Sequence, residues 1–435
     1  MNIETYKYDV VILGGGAAGL AAAAALGYGS RKKLKAAIIE KEPKLGKKLL
    51  ATGNGRCNLT NVNISSELYN ADSRQFINDM LKVVSAEKLT EIFRSMGLLC
   101  RADSEGRVYP YSNRASSVLG VLTLWIQKNG IDVFCGTAAD GVAALGGGYK
   151  IKCGDKQFIA KKLIMSTGGA VQPALGSDGS SYKFADMLGL KCTKVFPSLA
   201  PVKVNDKELK LLKGVRAKAL VKLEADGRIE GSEYGEVQFN ENNISGICVF
   251  QLSRMVNEYF SLKTVCGKRC AGIGLYIDLA PEYTREQIYE QMQIRSELFP
   301  KASVLELASG IVHERICEYI IKKCGIDPRA KLSEISKREK TKAAAMIKSL
   351  EFTPSERSDE TAAQVTAGGI SIGEVDKVFM SKKHNGLYVV GEALNADGKC
   401  GGCNLHFAFA SGFISGRNAA SAFGPNSARH SPHQK

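Results

Sequence analysis

Val10-Val11-Ile12-Leu13 is an unbroken, mostly β-branched apolar run, the pattern of a strand buried on both faces of a parallel sheet. Gly14-Gly15-Gly16-Ala17-Ala18-Gly19 comes directly after it, and Leu20 to Leu26 is Ala-rich with high helix propensity. The pattern predicts strand, glycine turn and helix. Ala36-Ala37-Ile38-Ile39 predicts a second buried strand, and Leu163-Ile164-Met165 a third that ends at Ser166-Thr167-Gly168-Gly169. Leu387-Tyr388-Val389-Val390 predicts a fourth, after which a glycine-rich loop from Asp397 to Asn404 leads into a helical stretch from Leu405 to Phe423. Between these blocks the period changes. From Pro197, short alternating segments such as Ala219 to Glu224, with a turn at Asp226-Gly227, predict a β-rich insert; from Pro281 to Glu351 the pattern is helical.

The run from Val10 to Ser30 carries no charge, long enough to raise the question of a membrane span. Six glycines and an Ala-rich remainder suit lipid poorly, and Glu4 and Asp9 precede the run where a signal peptide would be basic. Strand, turn and helix give the Gly14-x-Gly16-x-x-Gly19 spacing its meaning instead. Gly14 permits the tight turn, Gly16 lets a pyrophosphate approach the backbone, and Gly19 lets the helix pack close on the strand. The helix start, with Ala17 and Ala18, offers free N–H groups and the positive end of its dipole to phosphate. Glu40, at the end of the second strand, can accept hydrogen bonds from an adenosine ribose and would repel a 2′-phosphate. This motif alone does not separate NAD from FAD.

Two further segments favour FAD. Lys41 to Asn63 is rich in turn residues and contains Lys48, Gly53, Gly55, Arg56 and Asn58, a loop able to wrap an anionic, hydrogen-bonding ligand. A helix start at Asn404-Leu405 would direct its positive end at the preceding loop, where negative charge on a reduced flavin would be stabilised. No second G-x-G-x-x-G comes after a strand. A pyridine nucleotide, NADH or NADPH, would therefore serve as a transient electron donor sharing the substrate face.

The set Gly14 to Gly19, Gly53-Asn54-Gly55-Arg56-Cys57-Asn58-Leu59-Thr60-Asn61, Ser166 to Gly169, Thr366-Ala367-Gly368-Gly369, Gly391-Glu392, Gly401-Gly402 and Asn404-Leu405 resembles the BaiN/YhiN family of bacterial flavoproteins, over roughly residues 8 to 420. The resemblance implies an α/β fold: a Rossmann-like FAD-binding domain of the two-dinucleotide type with inserted β-barrel and helical subdomains. It sets the discontinuous FAD domain at 1–197 and 365–423, the barrel at 198–280, the helical subdomain at 281–364 and a disordered tail at 424–435. In such flavoproteins a strand like Ile131 to Ala138 brings the backbone near Ala138 to the adenine. Together with the glycine turn, the expected FAD residues are Ala17, Ala18, Glu40, Lys41, Lys48, Gly55, Arg56, Asn58, Ala138, Thr167, Gly168, Gly391, Glu392, Asn404 and Leu405. The chain departs from the usual family pattern at Asn395, at Cys400 and Cys403, and at His406 and Phe407.

The activity implied is hydride transfer from reduced flavin to a C=C bond conjugated to a carbonyl in a hydrophobic, anionic substrate such as a bile-acid enone. Oxidation of a small amine such as aminoacetone is the enzymatic alternative, and a tRNA-associated or sensor flavoprotein the other. No catalytic residue is assigned. Cys400 and Cys403 form a C-x-x-C that invites a thiol relay, but small buried residues filling a tight turn are the preferred account, since the family does not generally have the pair. Cys57 is read as packing, His406 as a candidate proton donor, and Cys266 and Cys270 lack metal-ligand spacing.

Composition then adjusts this picture. The 435 residues carry a net charge of +15, which suits a polyanion or an anionic cofactor and substrate. The basic clusters Arg31-Lys32-Lys33 with Lys35, and Lys337-Arg338 with Lys340 and Lys342, lack interleaved aromatics, so a solvated basic face is the simpler account and nucleic acid the rival. Twelve scattered cysteines resemble no secreted disulfide framework and indicate the cytoplasm.

Overall fold

A computed structural model describes residues 3–27, 34–266, 272–421 and 423. Arg31, Lys32, Lys33, Cys270 and the tail 424–435 lie outside them. The chain forms two units, Met1–Phe196 with Gln364–Lys435, and Pro197–Ala363.

The first unit is built on strand β1 (Glu4–Leu13), helix α1 (Ala17–Leu26), strand β2 (Ala36–Ile39), strand β3 (Lys156–Met165), strand β4 (Leu387–Val389) and helix α2 (Cys403–Ser421). β1 pairs in parallel with β2 and β3, β2 with the short strand Asp132–Phe134, and β3 with β4. A hairpin, Gly141–Leu145 and Gly148–Cys153, adds antiparallel to β3. Val10 to Ile12 and Leu163 to Met165 are fully buried, as unbroken apolar runs require. Register aligns the strand ends. Leu13 pairs with Ile39 and with Met165, Met165 with Val389, and Ile39 with Phe134, so the carboxyl ends of five strands meet at one edge. Ligands gather at that edge in open α/β sheets.

α1 and α2 lie close because both present small residues. A Cβ at Gly412 would fall 2.3 Å from the Ala18 carbonyl oxygen, and one at Gly416 would fall 2.2 Å from that of Ala22. Nearly the whole of α1 is buried, which is why an Ala-rich sequence serves it.

In the second unit, six strands run in the order Val202–Lys203, Asn243–Ser245, Arg228–Phe239, Arg216–Ala225, Ile273–Asp278, Leu350–Phe352. The two ends meet through a bridge between Val204 and Pro354 and a Ser355 N–H bond to the Lys203 carbonyl (3.0 Å), which rounds the sheet into a barrel. Ile273–Asp278 pairs with Arg216–Ala225 on one side and with Leu350–Phe352 on the other, so the helices Arg285–Leu298, Glu314–Cys324 and Lys337–Lys348 are looped out of one sheet. The β-rich segment also contains a 20-residue helix, Ile247–Cys266.

Candidate functional site

At the carboxyl edge of the first unit's sheet lies a cleft bordered by eight of the residues the sequence singles out: Gly14, Gly16, Glu40, Lys41, Lys48, Ala138, Thr167 and Gly168. Gly14 has φ +104°, and its N–H donates to the Ile39 carbonyl (2.8 Å), tying the turn to β2. A Cβ on Gly19 would fall 2.0 Å from the Gly14 carbonyl oxygen, so only glycine allows this approach of helix to strand. Gly16 differs. Its Cβ would meet no protein atom within 4 Å, and it caps α1 without a side-chain partner. The helix start therefore presents backbone N–H groups to open space, an anion cradle that an alanine would fill.

Glu40 is fixed by two backbone donors, Gly15 N–H at 2.6 Å and Glu42 N–H at 2.8 Å. Gly15, an unspecified position of the motif, is thus a functional glycine that spacing did not reveal. A Cβ there would fall 2.4 Å from Leu45. Ala138 lies beyond a strand shorter than expected: pairing covers only Asp132–Phe134, and Gly136, at φ +66°, turns the chain so that Thr137 N–H reaches the Glu40 carbonyl (2.9 Å). Across the cleft, Lys41 pairs with Asp178 at 2.6 Å, and Lys41 and the N–H of Ser180 hold the Asp178 carboxyl below its ordinary pKa. Ser177 and Asp178 also border the cleft. They sit eight and nine residues past the Ser166–Gly169 turn, where no local motif marks them.

Lys48 Nζ donates to Glu392 at 2.8 Å and reaches Ser177 Oγ at 3.3 Å. The other Glu392 oxygen accepts from the Thr366 N–H (2.9 Å), while Thr366 Oγ1 accepts from Ala170 and Val171 N–H. Four segments remote in sequence, around Lys48, Ala170, Thr366 and Glu392, are joined by these bonds. Thr167 Oγ1 contacts Ser181 Oγ at 2.5 Å, and Ser181 also donates to the Gly168 carbonyl (2.7 Å).

The remaining expected residues hold the frame of the site. Ala17 starts α1, and Ala18 meets Gly391, whose Cβ would fall 2.9 Å from the Ala18 methyl. Asn404 brackets Gly398, accepting from its N–H (2.8 Å) and donating to its carbonyl (2.7 Å), and Leu405 is half-buried in the first turn of α2. The Asn58 amide, turned with its oxygen toward Gly402 N–H (3.0 Å), donates to the Thr60 and Val108 carbonyls and pins the Gly53–Asn58 loop to the loop before α2. Gly55 accepts from Ala115 N–H (2.8 Å), and Arg56 donates to the Gly53 carbonyl (3.1 Å) while lying over the Tyr109 ring.

The tempting thiols and the histidine are explained by burial. Cys57 is fully buried at φ +61°, and burial pushes its thiol up to about 12. Burial does the same to Cys403, which removes the thiolate that a relay with the half-buried Cys400 requires, and no disulfide joins the two. His406 is fully buried between Thr60 Oγ1 on Nδ1 (2.8 Å) and the Val84 carbonyl on Nε2 (3.0 Å). Nε2 must carry the proton, Nδ1 accepts from the hydroxyl, and burial lowers the pKa to about 4. A neutral ring with both nitrogens committed is no proton donor. Among the described residues no group of three His, Cys, Asp or Glu side chains could hold a metal, and no helix is long and apolar enough to cross a membrane.

The cleft fits FAD. The cradle at Gly16 and the start of α1 would hold the pyrophosphate, Glu40 the adenosine ribose, and Lys48 with Glu392 the span beyond. The HI0933-like protein Rossmann domain matches residues 8–418. The chain is 32% identical to the 3-dehydro-bile acid delta(4,6)-reductase of Clostridium scindens over 94% of this chain and 98% of that protein. It is 23% identical to the ribosomal RNA dihydrouridine synthase of Escherichia coli, over 96% and 99% respectively. Among solved structures, a quinol fumarate reductase FrdA variant of E. coli superposes with a TM-score of 0.51 at 16% identity, covering 98% of this chain and 72% of that one, a likeness of fold. The chain belongs to the HI0933-like Rossmann family, a family of FAD-dependent oxidoreductases.

Proposed function

We propose that this protein reduces a carbon–carbon double bond conjugated to a carbonyl. The observation that carries the reading is end-to-end similarity, across the whole cleft, to relatives whose names share one chemistry. A 3-oxo steroid with a 4,6-diene is a conjugated enone, and the C5=C6 bond of uracil is conjugated to the C4 carbonyl. Both accept hydride at the carbon β to the carbonyl and a proton at the α carbon.

FAD, when bound, supplies the hydride from its reduced ring. The protein's part is to bind and position. Gly14, Gly16 and the start of α1 hold the diphosphate, Glu40 orients the ribose, and the Lys48–Glu392 pair sets the path between Ser177 and Thr366. α2 begins at Cys403 with its positive end toward the Gly398–Gly402 loop, a field that favours negative charge developing there. A hydrophobic acid such as a bile-acid enone is the substrate class that the higher identity favours, NADH or NADPH the donor, and the cytoplasm the compartment, in keeping with ten described cysteines outside any disulfide.

Anaerobic stopped-flow spectroscopy tests this. NADH or NADPH should bleach the visible flavin band, and a conjugated enone or a uridine-containing RNA should restore it. Bleaching by aminoacetone with reoxidation only by O₂ would identify an amine oxidase instead.

A further inference from the structure

A three-stranded sheet beside the Gly53–Asn58 loop brings together arginines and tyrosines that are dispersed in the sequence. Its strands are Thr60–Asn61, Cys100–Ala102 and Arg107–Pro110. Arg101 pairs directly with Tyr109, and the ladder continues past the strand ends, where Tyr111 N–H donates to the Leu99 carbonyl (2.7 Å). Directly opposed residues share a face, as do residues two apart along a strand. Leu99, Arg101, Tyr109 and Tyr111 therefore lie on one side. Arg56 comes from the adjoining loop to lie 4.8 Å from the Tyr109 ring centroid, and Arg101 lies 5.0 Å from that of Tyr111.

Three features separate this face from an ordinary charged surface. Arg107, at its end, is neutralised by Asp103 and Glu105, whereas Arg56 and Arg101 have no carboxylate partner among the described residues. Both guanidinium groups are instead held over aromatic rings, which fixes their positions and leaves N–H groups outward. Tyr111 is 62% exposed and Leu99 64%, so a ring and an aliphatic side chain stand open beside fixed positive charge. Tyr109 is buried beneath Arg56, so Tyr111 is the open ring of this face. An exposed ring on a sheet beside fixed arginines is the kind of platform on which single-stranded nucleic acid stacks a base and seats its phosphates. A dinucleotide or a small acid would call for a cleft.

We propose that the Arg56–Tyr109 and Arg101–Tyr111 face binds single-stranded RNA, with a base on Tyr111 and phosphates on the two arginines. The inference deepens the double-bond reduction proposed above and rests on it for the chemistry after binding, with uracil then the reacting group. It also gives the +15 charge a specific place to act. The basic cluster at Lys337 and Arg338 lies on a helix of the other unit.

The test uses the full-length FAD-loaded protein and a short fluorescein-labelled oligouridylate, read by anisotropy across a salt series. Binding should weaken as salt rises. Arg101→Ala should reduce the slope of log affinity against log salt by about 0.7, one phosphate contact on a single strand. Tyr111→Ala should weaken binding about 5- to 100-fold, and Tyr111→Phe should restore it. Neither change should alter the flavin spectrum or the rate with a small soluble enone, and Lys337→Ala should leave RNA binding intact. The proposal is overturned by no binding at low salt, by wild-type binding in both Arg101→Ala and Tyr111→Ala, or by NADPH displacing the oligomer in an Arg101-dependent manner. Oligomer that binds on this face without reoxidising reduced flavin would refute the proposed chemistry and leave the face standing; flavin reoxidised by enone with no RNA bound would do the reverse.

Discussion

His406 illustrates how burial sets the role of a single residue. Its pKa is lowered from 6.5 to about 4 because the fully buried ring cannot be hydrated as a cation. The unfolded chain therefore binds a proton at a pH where the folded one does not. This contribution to stability is complete above about pH 6.5 and is lost as pH falls through 4, amounting to about 3 kcal/mol over the window. Urea unfolding of His406→Gln should show a flatter decline between pH 7 and pH 4 than wild type. An equally steep decline in the variant would place the acid sensitivity elsewhere. The rate of substrate reduction should show no titration assignable to His406 in the same range. Lys48 is a second residue-scale case: Lys48→Met removes the cation from Glu392 and the donor from Ser177 Oγ and the Val171 carbonyl, so FAD retention should fall about 10-fold, a difference of about 1.4 kcal/mol. Equilibrium dialysis of FAD measures it, and unchanged retention would remove Lys48 from the cofactor path.

At the scale of elements, two glycines of similar appearance have opposite reasons. Gly16 has free space where its Cβ would stand, whereas Gly412 would drive a Cβ into the Ala18 carbonyl. Gly16→Ala should keep the thermal stability of the FAD-free protein and lower FAD affinity at least 10-fold, because the methyl occupies the phosphate cradle. Gly412→Ala should destabilise the FAD-free protein itself by about 1–3 kcal/mol, because α1 and α2 must move apart. Denaturant melts with and without FAD separate the two cases, and a Gly16→Ala protein that binds FAD normally would overturn the cradle. The first of these glycines was legible: a strand, a turn and a helix written contiguously in sequence fold locally, so spacing alone placed Gly14, Gly16, Gly19 and Glu40. Gly412 was not, since its reason is a carbonyl on a helix almost 400 residues away. The same holds for Ser177 and Asp178, for Thr366 joined to Ala170, and for Arg101 on Tyr111, all products of tertiary pairing. The helix Ile247–Cys266 was hidden for a different reason: β-branched and aromatic residues scattered around it blur the helical period.

At the scale of the molecule, every residue assigned to FAD lies in the unit formed by Met1–Phe196 and Gln364–Lys435, while Pro197–Ala363 has a hydrophobic core of its own. The chain enters and leaves that second unit at neighbouring points, and one buried side chain fastens both. Asn257, fully buried on the helix Ile247–Cys266, donates to the Pro197 carbonyl at 3.0 Å and accepts from the Ser358 N–H at 2.7 Å. Asn257→Ala would strand a buried carbonyl and a buried N–H, at about 1–3 kcal/mol each. A ligand that binds only the folded first unit stabilises that unit by mass action, about 2.7 kcal/mol at a hundredfold excess over its dissociation constant. Hydrogen exchange under mild denaturant should therefore show FAD slowing exchange in β1, α1 and α2 while leaving Ile273–Asp278 unaffected, and Asn257→Ala should accelerate the latter and spare the former. Exchange that responded to FAD and to Asn257→Ala equally throughout the chain would mean a single cooperative block, in which the barrel's stability is inseparable from occupancy of the cofactor cleft.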